Sequence, residues 1–121
     1  MWLAMMKEGD YLLTDFGGWN LHGIYAGDGQ VLSFIYNGWT FNPFQLISLE
    51  EFVHKDIKLR KYLRPKYSGR IVVERARSRL GECVELDLGE TCNWAVAGMT
   101  SIFHGMFVDR LLLSGMNGVN G

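Results

Sequence analysis

Apolar and polar residues alternate in three short runs near the start of the chain. Residues 10–16, 20–26 and 30–36 each read as strands, because every second side chain faces the same side of a sheet. Gly27-Asp28-Gly29 separates the second run from the third, and an Asp-Gly pair between apolar runs signals a hairpin. A loop follows, carrying Asn37-Gly38-Trp39 and Asn42-Pro43. Ser48 and Glu51 have the spacing of a capping box over a short helix near 48–54. Ile57, Leu59 and Leu63 are interleaved with Lys58, Arg60 and Arg64, which predicts a strand near 57–63 ended by Pro65. A helix over about 68–80 runs from Ser68 as cap to Gly81 as stop, with Val72, Ala76 and Leu80 as its apolar stripe. A strand near 84–88 then leads into a helix that opens at Thr91 and reaches about 104. The tail from Ser114 to Gly121 is expected to fray. The fold class is α+β: an antiparallel sheet with helices on one side, in a single domain over 1–121.

The last strand-to-helix junction is Leu86-Asp87-Leu88-Gly89-Glu90-Thr91-Cys92-Asn93-Trp94. It sets the Cys92 thiol in the first turn of a helix. Unpaired N–H groups and the positive end of the dipole favour thiolate there. Cys92 therefore has the setting of a nucleophile, expected to be alkylated faster than Cys83 near pH 6.5. Taken alone, it also reads as a small apolar residue in a core helix. A nucleophilic Cys needs a base, and the chain has three histidines. His104 lies twelve residues on, roughly 18 Å along a continuous helix. His54 ends a charged surface stretch. His22 falls in the 20–26 strand, where it can be held rigidly against a helix N-terminus as a general base must be. A strand histidine is equally a core residue with one hydrogen bond.

The order and surroundings of these two residues resemble a known family. Glu8-Gly9-Asp10-Tyr11-Leu12 is similar to the opening strand of the circularly permuted NlpC/P60 group. His22-Gly23-Ile24-Tyr25-Ala26-Gly27-Asp28-Gly29 closely resembles that group's histidine box. Ser48-Leu49-Glu50-Glu51-Phe52 and a helix like 71–82 are common there too. Glu90-Thr91-Cys92-Asn93-Trp94 stands at the place of an Asn-Cys-Glu-His-Phe box, of which only the Cys matches literally. The nearest resemblance is to the lecithin:retinol acyltransferase-like and H-Ras-suppressor-like phospholipase/acyltransferases, over a core of about 8–105. It implies a permuted papain-like fold, with Cys92 as nucleophile, His22 as general base and acid, and a thioester intermediate.

The family pattern also has a second polar residue, often His, on the strand after the histidine box. Counted from the Gly27-Asp28-Gly29 turn, that position falls on Ser33. A serine hydroxyl accepts from an imidazole N–H but cannot stabilise an imidazolium as a carboxylate would. Asn20, on the His22 face by period two, and Asn37 are substitutes. Thr91 stands where the family has Asn and can cap the helix through its hydroxyl.

Composition fits one compact domain: 48% apolar and 21% charged in 121 residues, with 15 glycines. No run reaches the ~18 apolar residues of a membrane span. The start, Met1 to Met6, is too short for a signal-peptide core, so a cytoplasmic location is expected. Two cysteines make no disulfide framework, and no metal-ligand spacing or phosphate-binding glycine loop is visible, so no cofactor or metal is expected. Charge adds a second theme. Ten of twelve basic residues lie between Lys55 and Arg79, opposed there only by Asp56 and Glu74. That segment either pairs with acidic neighbours or meets an anionic partner such as a phospholipid surface. No aromatic-rich motif supports nucleic acid. The expectation is a cysteine-dependent acyl hydrolase or acyltransferase, with lipid esters as the favoured substrates. A cell-wall or other peptide amidase and a non-catalytic module with a decayed triad stand as alternatives.

Overall fold

The computed structural model describes residues 5–37, 40, 41, 43–84, 87, 89–98 and 107–114. Six strands form one sheet and a two-stranded ribbon lies beside it. In chain order the strands are β1 (Tyr11–Asp15), β2 (Asn20–Gly27), β3 (Gln30–Ser33), β4 (Tyr36–Asn37), β5 (Thr40–Phe41), β6 (Gln45–Ser48), β7 (Asp56–Tyr62) and β8 (Phe107–Ser114). The main sheet has the order β6-β3-β2-β1-β7-β8, and every neighbour pair is antiparallel. The helices are α1 (Leu49–Phe52), α2 (Gly69–Arg77) and α3 (Glu90–Ala97). The predicted caps are in place. Ser48 and Glu51 form a reciprocal capping box on α1, and the Ser68 hydroxyl accepts from the Ile71 N–H at the head of α2.

The sheet separates two apolar layers. On one face Tyr11, Leu13, Ile24, Leu32 and Tyr62 pack against Val72, Val73 and Ala76 of α2 and Cys92, Ala95 and Val96 of α3. On the other face Leu12, Leu21, Tyr25, Val31 and Ile57 pack against Leu49 and Phe52 of α1. The helices therefore do not share one side, as the pattern suggested. The four-residue α1 covers the far face because Leu49 and Phe52 are its two buried side chains.

Two further expectations change. α3 ends at Gly98, whose φ of +79° turns the chain out of the helix, so the helix does not run to 104. Val84 and Asp87 lie in no strand, and the rest of 84–88 lies outside the described residues. β8 pairs with β7 along its length and carries the sheet to Ser114, past the stretch of about 8–105 that bears the resemblance. The expected fraying falls on 115–121, outside the described residues.

Candidate active site

β2 alternates up to Tyr25, so His22 and Ile24 face the layer that holds α2 and α3, and Ala26 packs against that layer as well. Cys92 is in the same layer, at the third position of α3. His22 lies against the head of that helix: a Cβ on Gly89 would stand 2.9 Å from His22 Nδ1 and 3.0 Å from Cε1. The sheet thus places the expected base and the expected nucleophile on one face, at one helix terminus.

The imidazole is oriented by a residue that sequence reasoning did not single out. Tyr11 Oη is 2.9 Å from His22 Nδ1 and donates to the Gly89 carbonyl at 3.3 Å. With the phenol proton directed to Gly89, Nδ1–H donates to Tyr11 Oη and the Nε2 lone pair is left to accept a proton. Tyr11 is 1% exposed, and burial, then the nearby Cys92 sulfur, pushes its phenol well above the ordinary range. It stays protonated. A second tyrosine braces the helix itself: Tyr62 Oη donates to Asn93 Oδ1, one residue from the thiol. The Arg60 guanidinium sits 5.1 Å from the Tyr11 ring centroid and makes a two-point ion pair with Asp109, at 2.7 and 2.8 Å. This pair links β7 to β8 beside the site.

Electrostatics corrects the expectation for the thiol. Burial, and after it the Asp87 carboxylate, pushes Cys92 well above the usual thiol range. The helix terminus does not win, because Cys92 is 1% exposed and the terminus is already served by an acid. Asp87 accepts from the Gly89 N–H at 2.8 Å, the Thr91 N–H at 3.2 Å and the Thr91 hydroxyl at 2.7 Å. Asp87 is therefore the side chain that caps α3. Thr91 was expected to cap through its hydroxyl, but that hydroxyl is spent as a donor to the cap. Cys83, by contrast, is exposed. The expected order of alkylation is accordingly reversed: the resting protein should label at Cys83 first. His22 is moved the other way. Burial, and then the Arg60 charge, lowers its pKa to about 4, against the opposing pull of Glu90 and Asp109. At neutral pH the site holds a neutral imidazole and a neutral thiol.

Ser33 does not orient the ring. Its hydroxyl donates to the main-chain oxygen of His22 at 2.7 Å, with the Phe34 carbonyl at 3.1 Å as a second acceptor. The reason is register. A bulge between Tyr25 and Gly27 slips the β2–β3 pairing by one residue, so Ser33 stands opposite Gly23 rather than Ile24. One residue of slip moves its side chain to the other sheet face. Ser33→Ala should therefore cost stability, about 1 kcal/mol for a buried hydroxyl bond, and leave the His22 titration where it is. An NMR titration of the imidazole alongside urea unfolding checks both halves. Asn20 is engaged elsewhere, accepting from Lys58 Nζ at 3.4 Å. Asn37 lies in β4, and its side chain is outside the described atoms.

Much of the basic segment is used internally. Arg75 donates to the Trp94 carbonyl at 2.8 Å and the Ala95 carbonyl at 3.1 Å, so α2 secures the far end of α3. Its guanidinium also lies 4.0 Å from the Trp94 ring centroid and 4.1 Å from that of Tyr67. Arg79 pairs with Glu82, and Arg70 with Glu74. Among the described residues no three His, Cys, Asp or Glu side chains converge as a metal site, and no helix is long and apolar enough to cross a membrane. No family model matches the chain, and no curated protein aligns with it.

Proposed function

We propose that this domain is a cysteine-dependent acyl hydrolase or acyltransferase with a permuted papain-like arrangement. One observation carries the reading: His22 shares a sheet face with Cys92 and packs on Gly89 at the head of the Cys92 helix, with Nδ1 held by Tyr11. In the proposed cycle His22 Nε2 takes the thiol proton as sulfur attacks an ester carbonyl. The ester C–O bond breaks and the alcohol leaves with that proton, while Cys92 retains the acyl group as a thioester. Water or an acceptor gives its proton to His22 and attacks the thioester. The thiol is regenerated when the sulfur leaves with that proton. The Cys92 N–H would serve as an oxyanion donor, since Asp87 already holds the N–H groups of Gly89 and Thr91. The buried thiol must be uncovered for this chemistry, by a local opening of the kind native proteins undergo well below global unfolding.

The same burial supports a second reading, a non-catalytic module that keeps the layout without the reaction. Incubation with p-nitrophenyl butyrate decides between them. The expected result is a butyryl adduct on Cys92 by peptide mass spectrometry, absent in Cys92→Ala and reduced at least tenfold in His22→Ala. Acylation confined to Cys83 would leave only the binding module. Beside this chemistry, exposed Lys61, Arg64 and Lys66 flank Leu63, which is 67% exposed. That mix of cations and an exposed leucine supports contact with an anionic lipid surface.

A further inference from the structure

Three clefts stand out among the described residues, and two of them border α3; one of these two also borders Tyr11 and Tyr62. Its volume is about 360 Å³, and it is walled by Tyr11, Tyr62, Tyr67, Val72 and Val96. Two of these walls belong to the candidate site itself. Tyr11 holds the His22 ring and Tyr62 holds Asn93. Val96 adds a distance argument. It follows Cys92 by four residues on α3, so the two side chains lie on one helix face about one turn, ~5.4 Å, apart. Val96 thus brings one wall of the cleft to within about one helical turn of Cys92, which does not itself line it.

The other two clefts do not meet these conditions. The larger, about 460 Å³, is lined by Phe16, Val53 and His54. Phe16 and Val53 pack with the opposite layer of the sheet, away from Cys92. The smaller, about 260 Å³, lies along the outer side of α3 and presents Glu82, Asp87 and Glu90. Carboxylates repel the carbonyl oxygen of an ester and do not solvate an alkyl chain.

We infer that the cleft between Tyr11, Tyr62, Tyr67, Val72 and Val96 is the acyl-group site of this protein, and that it takes neutral short- to medium-chain acyl groups. The inference rests on the acyl-transfer reading above and adds the substrate class. Size sets the chain length. At ~30 Å³ per water-sized group, about the size of a methylene, the cleft of about 360 Å³ holds about a dozen such groups, which is room for a chain of up to about twelve carbons and too little for a long fatty chain. Lining bears on polarity: three tyrosines and two valines border the cleft, together with five charged residues of both signs. The rim carries Lys7 and Lys61 against Glu8 and Asp10, and Arg60 is already neutralised by Asp109. No single sign of charge is left to select an ionised acyl tail. In the reacting complex the alkyl chain would lie in the cleft, and the carbonyl carbon would reach Sγ about one helical turn beyond Val96, through the local opening that uncovers Cys92. The new C–S bond forms there as the ester C–O bond breaks, and the alcohol leaves with the thiol proton.

Two measurements test this together. The first uses 2-octanone, a ketone short enough for the cleft and with no bond to cleave, titrated into ¹⁵N-labelled protein. The amide signals of Val72 and Val96 should shift and saturate. The second compares kcat/KM for p-nitrophenyl octanoate and acetate. Val72→Phe, which fills the cleft, should lower the octanoate-to-acetate ratio about tenfold, in the range expected for a blocked apolar subsite. Tyr67→Ala opens the half-buried rim and should raise that ratio, so the test survives if Val72→Phe does not fold. Saturating shifts at Phe16 and Val53, or a ratio unmoved in either folded variant, would overturn the assignment. Binding of 2-octanone in the Val72 cleft with no turnover of any ester would support the cleft and sink the acyl-transfer chemistry. Absence of both would remove both.

Discussion

Gly89→Ala is expected to destabilise the protein by about 3 kcal/mol or more and to displace the His22 ring. Two separate costs meet at this residue. Gly89 is the residue preceding α3 and has a φ of +106°, where an L side chain is strained by ~1–3 kcal/mol. A methyl there would also stand 2.6 Å from Tyr11 Oη and 2.9 Å from His22 Nδ1. Neither neighbour has room to retreat. Tyr11 is 1% exposed, and its ring lies under Arg60 and beside Tyr62, with ring centroids 6.1 Å apart. Overpacking of this kind adds another ~1–3 kcal/mol. Gly81→Ala is the control. Gly81 has a φ of +91°, but nothing lies within 4 Å of its would-be methyl, so only the backbone strain applies. Urea unfolding of both variants isolates the contact, provided the slope with denaturant stays constant. Equal losses in the two would show that His22 and Tyr11 are not held against the head of α3, and the candidate site would lose its geometry.

The glycine that matters most was visible only as a stop between a strand and a helix. The sequence shows that Gly89 interrupts two patterns, not what approaches it. Tyr11 was legible in principle. Once β1 and β2 form a hairpin in which Leu13 faces His22, Tyr11 is a diagonal neighbour of His22 on the same face. That step needs the register, which the loop at 16–19 does not announce. Ser33 shows the opposite hazard. Counting from the turn gives the wrong face, because the bulge after Tyr25 removes one residue from the count. The thiol fails for another reason. A helix terminus is a local feature that can be read from Gly89 and Thr91, whereas the depth of Cys92 is set by α2 and the sheet, from elsewhere in the chain.

The strands fared by the same logic. β1, β2 and β7 were found because each has one face in a core layer, which imposes period two. β8 was missed because it is an edge strand with a different pattern. Leu111, Leu112 and Leu113 are consecutive, and Val108 and Leu111, of opposite parity, are 57% and 54% exposed. The register shift at Ile57/Lys58 breaks its alternation further. α2 was found with its Ser68 cap but extended by three residues, since Leu80 continues the apolar stripe into a turn where it is 43% exposed. Fold class, hairpins and caps are thus local and legible. The assignment of α1 to the far face and the end of α3 at Gly98 depend on tertiary packing.

Acidification should remove stability through His22, by as much as roughly 3 kcal/mol between pH 7 and pH 4. The folded protein holds the His22 pKa at about 4, first by burial and then by the Arg60 charge, while an unfolded histidine titrates near 6.5. Between those values the unfolded chain carries the extra proton, so stability rises with pH across the window. The contribution is fully present above pH 6.5 and is lost as pH falls through 4. Carboxylates titrate in the lower part of the same window, so the wild type alone does not isolate it. His22→Gln removes the imidazole and keeps a group able to bond Tyr11. Urea unfolding of both proteins at pH 7, 5.5 and 4.5 should show the wild type losing more than the variant, with the gap widening as pH falls. A gap that stays constant would mean that His22 titrates normally, and the buried, Tyr11-held ring would be ruled out. The same pKa bears on the proposed chemistry. An imidazole that is neutral down to pH 4 is able to accept a proton throughout the physiological range, so no acid limb should appear between pH 5 and 7. The raised thiol of Cys92 stays protonated over the same range, so the reactive neutral pair is constant and kcat/KM for p-nitrophenyl butyrate should be level from pH 5 through neutrality. A bell centred near neutrality would require a thiolate–imidazolium pair at rest, which the burial of Cys92 and the charge on Asp87 oppose.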